Sequence, residues 1–346
     1  MLADGRTGFI GGYQMRLRLL LWLVLYLALA NAQAADGQAD AMSAESSSSQ
    51  STESMDEVIV TGEWPGPQLW KVSKGAHVVW ILGTLQPLPK HMTWKYTEVD
   101  QVLMHSQQVI GKTNVKPKVS IFGLLPLYLQ FRKVSKLQDG QTLKDVLPAE
   151  LYQRYRSLLA IHKVHDDDID KLRPIIAAGR LYQDVIEAND LTGKNDVQDM
   201  VFKLADRHDV KVNDMVLKVD APREILKEVT QVPVDAEVAC FADVVDGLET
   251  ELSLLKKRAT SWARGDVNAL RKLVTTQSRT ACREAVLRVH RVKEISDQVK
   301  SDWFNAIEDS LNRYPSALAL SPVYDLISKD GVLDQLRAAG YQVEGP

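Results

Sequence analysis

The stretch Leu69-Trp70-Lys71-Val72-Ser73-Lys74-Gly75-Ala76-His77-Val78-Val79-Trp80-Ile81-Leu82-Gly83-Thr84 decides the fold. Leu69 to Val72 alternates, and Val78 to Leu82 is a nearly continuous apolar run. The residues between them, Ser73-Lys74-Gly75-Ala76, are turn formers, so the pair predicts a β-hairpin. The second strand stops at Gly83-Thr84. Leu85-Gln86-Pro87-Leu88-Pro89 comes next, and its two prolines fix φ and remove donors, which predicts a rigid loop. Thr93 is placed to cap a helix through Val99, Val102, Leu103 and Met104. Val109-Ile110 then reads as a short buried strand ending at Gly111. An opening of the form β-β-loop-α-β favours an α/β sheet.

The C-terminal stretch supports that reading. Ala317-Leu318-Ala319-Leu320 reads as a buried strand. Val332, Leu333 and Leu336 fall on one helix face, Gly340 stands at the position that ends such a helix, and Tyr341-Gln342-Val343 is a closing strand. Strand, helix and strand give a β-α-β ending. The middle is helix-rich. Ile121 to Phe131 is apolar on nearly all sides, which predicts a helix lying deep or capping a pocket. Pro148 is read as the first residue of a helix through Tyr155 and Leu159. Asp166 to Asp168 are read as the cap of another, running past Pro174 to Ile186. Asn195 to Arg207 forms a further helix and Val210-Lys211-Val212 a short strand. Residues 236–264 form a long amphipathic helix, with Phe241, Val244, Leu248, Leu252 and Leu255 at spacings of three and four. The expected class is therefore α/β: a mixed β-sheet flanked by many helices.

Upstream of residue 57 the sequence has a different character. Met15-Arg16-Leu17-Arg18 is cationic, Leu19 to Ala30 is apolar, and Ala32-Gln33-Ala34 offers small residues at a cleavage site. That order predicts a secretory signal peptide over 1–34, with Met1 or Met15 as the start. The apolar run is shorter than the roughly 20 residues of a membrane span, although an uncleaved anchor is the alternative. Residues 35–56 are rich in Ser, Ala, Glu and Gln and have little to bury, which predicts a disordered linker. Val58-Ile59-Val60 is a short apolar segment opening the folded body, residues 57–346. The expected location is periplasmic or secreted, with no stable membrane span after cleavage.

The chain carries 42 Lys and Arg against 45 Asp and Glu. Removal of residues 1–34 takes Arg6, Arg16, Arg18 and Asp4 with it and leaves 39 against 44, a net charge of −5. A mildly acidic body without a basic run argues against a nucleic-acid partner. Cys240 and Cys282, an even pair in an exported chain, predict a structural disulfide.

No GxSxG elbow, phosphate loop, GxGxxG or HExxH is present. The densest cluster of ligand-type residues is His162, His165 and Asp166 to Asp168, a pattern routine at solvated helix starts. Lys90-His91 reads as a surface pair.

The opening, from Leu69-Trp70-Lys71-Val72 through Val79-Trp80-Ile81-Leu82-Gly83-Thr84-Leu85-Gln86-Pro87-Leu88-Pro89, resembles that of the TraB/GumN family, also called TraB/PrgY/GumN. The segment Leu318-Ala319-Leu320 with Asp330-Gly331-Val332-Leu333-Asp334-Gln335-Leu336-Arg337-Ala338-Ala339-Gly340-Tyr341-Gln342-Val343 is similar to the family's C-terminal part. The resemblance implies a mixed sheet flanked by helices and a proposed metal-dependent, peptidase-like site. That site is built from two Gly-x-x-His motifs and an acidic residue after the next strand, so that strand-end loops converge on a divalent metal.

This chain departs at each position. Gln86 stands where the first histidine is expected, Asp325 at the second, with Pro322 in place of its glycine, and Ile110-Gly111-Lys112 lacks the acidic residue. An amide is a poor ligand for a transition metal and a lysine repels one, so no metal and no cofactor are expected. The resulting expectation is a catalytically inactive family member, a pseudoenzyme. It binds a small polar ligand or peptide at Gly83, Thr84, Gln86, Tyr324 and Asp325. The alternative is a hydrolase with a rebuilt site in which Asp325 is the candidate general base. A third reading is a structural envelope protein with a vestigial pocket. The sequence names no protein partner.

Overall fold

A computed structural model describes residues 64–166, 168–194, 196–274 and 280–346. The expected signal peptide, the linker and Val58-Ile59-Val60 lie outside the described residues, as do Asp167 and Asn195.

The hairpin forms as expected: β1 (Leu69–Lys74) and β2 (His77–Thr84) pair antiparallel around Gly75, whose φ is +60°. The proline loop is not wholly irregular. Its last two residues are β3 (Leu88–Pro89), an edge pair with a later segment. Helix α1 spans Thr97–Met104 behind Tyr96, and Thr93 does not cap it. Residues 93–95 are held extended instead: Trp94 bridges Trp64, and Lys95 N–H donates to the Trp64 carbonyl at 2.7 Å.

Next come β4 (Gln108–Ile110), β5 (Asn114–Pro117) and α2 (Ile121–Val134), the last capped by the Ser120 hydroxyl, which accepts from Gly123 N–H. The expectation that this helix lies deep is wrong. Only Leu127 and Phe131 are buried, while Phe122 is 89% exposed. The segment is apolar all round, yet only one of its sides finds a partner.

The helical middle runs through α3 (Leu143–Val146), α4 (Ala149–Ile161) and α5 (Pro174–Ala188). Pro148 precedes the first turn of α4 rather than occupying it. Asp166 and Asp168 do not cap a helix running through Pro174. A separate 3₁₀ turn, Ile169–Lys171, comes first, and Leu172 and Arg173 are extended. The residue before a proline avoids the helical region, which breaks the segment there. The chain continues through β6 (Leu191–Thr192), α6 (Asp196–Arg207), β7 (Lys211–Asn213), β8 (Val216–Val219) and α7 (Pro222–Val229). Helix α8 (Val234–Ala263) is the longest. Gly265 ends it at φ +70°, and Asp266 caps α9 (Val267–Val274), its carboxylate accepting from Ala269 N–H at 2.9 Å. Then follow α10 (Thr280–Leu287), α11 (His290–Arg313), β9 (Ser316–Pro322), α12 (Val323–Ile327), α13 (Val332–Ala338) and β10 (Gln342–Glu344).

The main sheet has the order β10-β1-β2-β9-β4-β7. β2, β9, β4 and β7 are parallel to one another, and β1 is antiparallel to both of its neighbours. The sheet is therefore mixed, as expected. The C-terminal unit is a split β-α-β: β9 and β10 run the same way, but the β1–β2 hairpin lies between them. Two large apolar clusters result. One packs helices onto the sheet around Ile81, Leu82, Val109, Leu318 and Trp262. The other joins helices of the middle around Tyr155, Leu181, Phe241 and Val244. Cys240 and Cys282 form a disulfide inside the second cluster, tying α8 to α10.

Candidate functional site

Parallel strands present their C-terminal ends together, and in open α/β sheets ligands bind outside those ends. Here β2, β9 and β4 are neighbours, in register at Thr84↔Pro322 and Ile110↔Ala319. The loop after β2 carries Gln86, the residues after β4 are Gly111 and Lys112, and α12 after β9 carries Tyr324 and Asp325.

Gly83 and Thr84 serve the sheet. Gly83 is buried, and a Cβ there would come within 3.0–3.2 Å of Val323 and Trp70. Its carbonyl accepts from the Trp262 indole at 2.7 Å. Thr84 is buried, and its hydroxyl donates to the Ser321 carbonyl at 3.3 Å. Gln86 is half-buried and precedes a cis Gln86–Pro87 bond. Its amide donates to the Lys194 carbonyl at 2.8 Å, so the loop after β6 folds over it.

Lys112 and Asp325 bring the electrostatics. Burial pushes the Lys112 ammonium down to about 8, against the opposing pull of the Asp199 carboxylate. Burial pushes the Asp325 carboxyl up to about 6, against the pull of Lys300 on α11. Two opposite charges are thus withdrawn from water on one edge of the sheet. Gly331 keeps Asp325 in place. A Cβ there would stand 2.5 Å from the Asp325 carbonyl oxygen and 2.8 Å from that of Ser328, so only glycine allows α13 to start against α12.

The first turn of α6 completes the edge. Gln198 is buried, and its side-chain oxygen accepts from Lys112 N–H at 3.0 Å. Sequence reasoning missed Gln198, Asp199 and Lys300. Only the Asp-rich start of α6 hinted that this turn faces charge. A cleft of about 440 Å³ runs along β7 beside α11, from Thr113 and Asn213 to Gln108 and Tyr314 at the opposite strand ends. Thr113, next to Lys112, lines it, together with Asn213, Asp302, Asn305 and Arg313.

A metal does not fit these residues. Gln86 offers an amide already engaged with backbone, Lys112 a cation, and Asp325 a single carboxylate. A catalytic zinc needs about three protein ligands and a hard cation six or more oxygens. Among the described residues no group of three His, Cys, Asp or Glu could hold a metal. His162, flagged in the sequence, is hydrogen-bonded with Asn189 at 3.0 Å, and Asp166 pairs with Arg180 at 2.8 Å.

Fold and site define the class: an α/β protein with a mixed six-stranded sheet and a polar site at the ends of its parallel strands. The chain belongs to the TraB/PrgY/GumN family, whose profile matches residues 68–345. Comparison with curated proteins and with solved structures gave no match.

Proposed function

We propose that this family member is an exported cell-envelope protein that binds a small polar ligand or peptide at the strand edge, without a metal and without catalysis. The observation that carries this reading is that Gln86, Lys112 and Asp325 follow the ends of the neighbouring strands β2, β4 and β9, where partial burial moves both charged groups away from their ordinary values. A half-buried cation, a carboxylate and an amide suit a ligand that carries carboxylate, ammonium or amide groups. Lys112 supplies the positive charge that a metal would otherwise bring.

Calorimetric titration of the full chain with Mn²⁺, Co²⁺ and Zn²⁺ tests the metal-free reading. No saturable binding is expected. Tight binding at one site, abolished by Asp325→Ala, overturns it. Thermal-shift titration with free amino acids and dipeptides tests the ligand class. Stabilisation by one of them is expected to disappear in Lys112→Met.

The raised Asp325 pKa favours the second reading, because a carboxyl near 6 is poised as a general base. Peptide and ester hydrolysis with an acid limb near pH 6, lost in Asp325→Asn, would establish that reading in place of the first.

A further inference from the structure

Helix α2 leaves a broad apolar face uncovered. Ile121 is 74% exposed, Phe122 89%, Leu125 60% and Leu129 54%. At 3.6 residues per turn these four fall within an arc of roughly 100°. The opposite side is anchored, with Leu127 and Phe131 packing on Leu226 of α7. The outer face is thus a single convex ridge held firmly from behind.

Its surroundings are cationic. Lys116 and Lys118 lead into the helix, Arg132 and Lys133 close its last turn, and Lys136 follows. No Asp or Glu occurs between Lys116 and Gln138 in a chain whose net charge is −3. Two acidic groups approach from elsewhere: Asp220 pairs with Lys118 at 2.9 Å, and Asp168 lies in the field of Lys136 and Arg132. Lys116 and Lys133, both exposed, extend the basic rim beyond them.

An apolar ridge of Ile, Phe and Leu with basic residues at its borders is the arrangement of a helix lying in a membrane interface. The apolar face enters the acyl boundary while lysine and arginine meet anionic headgroups. We infer that α2 is a peripheral membrane-docking helix that seats the folded body on an anionic lipid surface. No helix among the described residues is long and apolar enough to span a bilayer, so docking here is superficial.

The test needs a readout confined to α2, because the apolar segment Leu19 to Ala30 of the full chain would itself seek lipid. Pro126, exposed at the border of this face, is replaced in the full chain as Pro126→Cys and labelled with a polarity-sensitive fluorophore. Cys240 and Cys282 are paired and leave the new thiol as the target. Vesicles of phosphatidylglycerol and phosphatidylcholine are expected to raise the emission several-fold and shift it to the blue. Phosphatidylcholine alone should have little effect, and raised salt should weaken the response. Adding Phe122→Asp and Leu125→Asp, both at exposed positions, is expected to abolish it with the circular dichroism unchanged. No response to the anionic vesicles, or a response that persists in the double variant, overturns the inference. So does an equal response to neutral vesicles, or one produced only by a soluble protein.

Discussion

Lys112 and Asp325 each pay for burial in the charge state that water would favour, and their titrations therefore report on stability. For Asp325 the folded pKa, about 6, lies above the unfolded value of 3.8. The folded state holds the proton more tightly, so stability is lost as pH rises from about 4 to about 6. Asp325→Asn should then stabilise the fold by about 3 kcal/mol at pH 8 and by nothing below pH 4. Urea unfolding of both proteins across that range checks it. For Lys112 the folded pKa, about 8, lies below 10.5. The folded state releases the proton, so stability is lowest below pH 8 and recovers towards pH 10.5. Lys112→Met should gain about 3 kcal/mol at pH 7 and lose that advantage above pH 10, read from the same melts. Both positions were legible in the sequence because each stands where a family ligand is expected. Gln198 and Asp199 were not, because they reach the site through a helix more than eighty residues beyond Lys112, and spacing along the chain does not reveal that fold-back.

At the scale of elements, two indoles fasten helices to strand ends. Trp262 of α8 donates to the Gly83 carbonyl at 2.7 Å, and Trp303 of α11 donates to the Leu320 carbonyl at 2.9 Å. Trp262→Phe keeps most of the apolar contact and removes one buried hydrogen bond, so it should cost about 1–3 kcal/mol in chemical unfolding. The disulfide closes a separation of 42 residues between α8 and α10, and Cys240→Ala with Cys282→Ala should cost roughly 3–4 kcal/mol. The periodic elements were legible: the hairpin, α8 and β9 appear close to their expected bounds. The failures have physical causes. Thr93 lost its role because Trp64 pairs with the next residues, and α2 was expected deep or over a pocket because apolar content does not say whether a neighbour exists to cover it. The parallel pair β5–β8 was missed because neither strand alternates distinctly.

The two large apolar clusters of the described residues share α8. Cys240, Phe241 and Val244 near its start belong to the helical cluster, and Ala259, Trp262 and Ala263 near its end belong to the sheet cluster. A continuous helix that enters both should make them unfold together. Calorimetry is expected to show one transition, displaced to lower temperature by reduction of the disulfide but not split. Two resolved transitions would show that α8 does not couple them. The class of fold was legible from both ends of the sequence, but the strand order was not, since β2 lies beside a strand whose partner residues are 238 positions away, Val78 facing Ser316. That pairing governs the order of events at the ribosome. The central strand pair cannot close until residues 316–322 have been made, and contacts this distant in sequence form slowly. The sheet therefore stays incomplete through most of the chain's synthesis, while the helical cluster, built from residues 143–295, is already made.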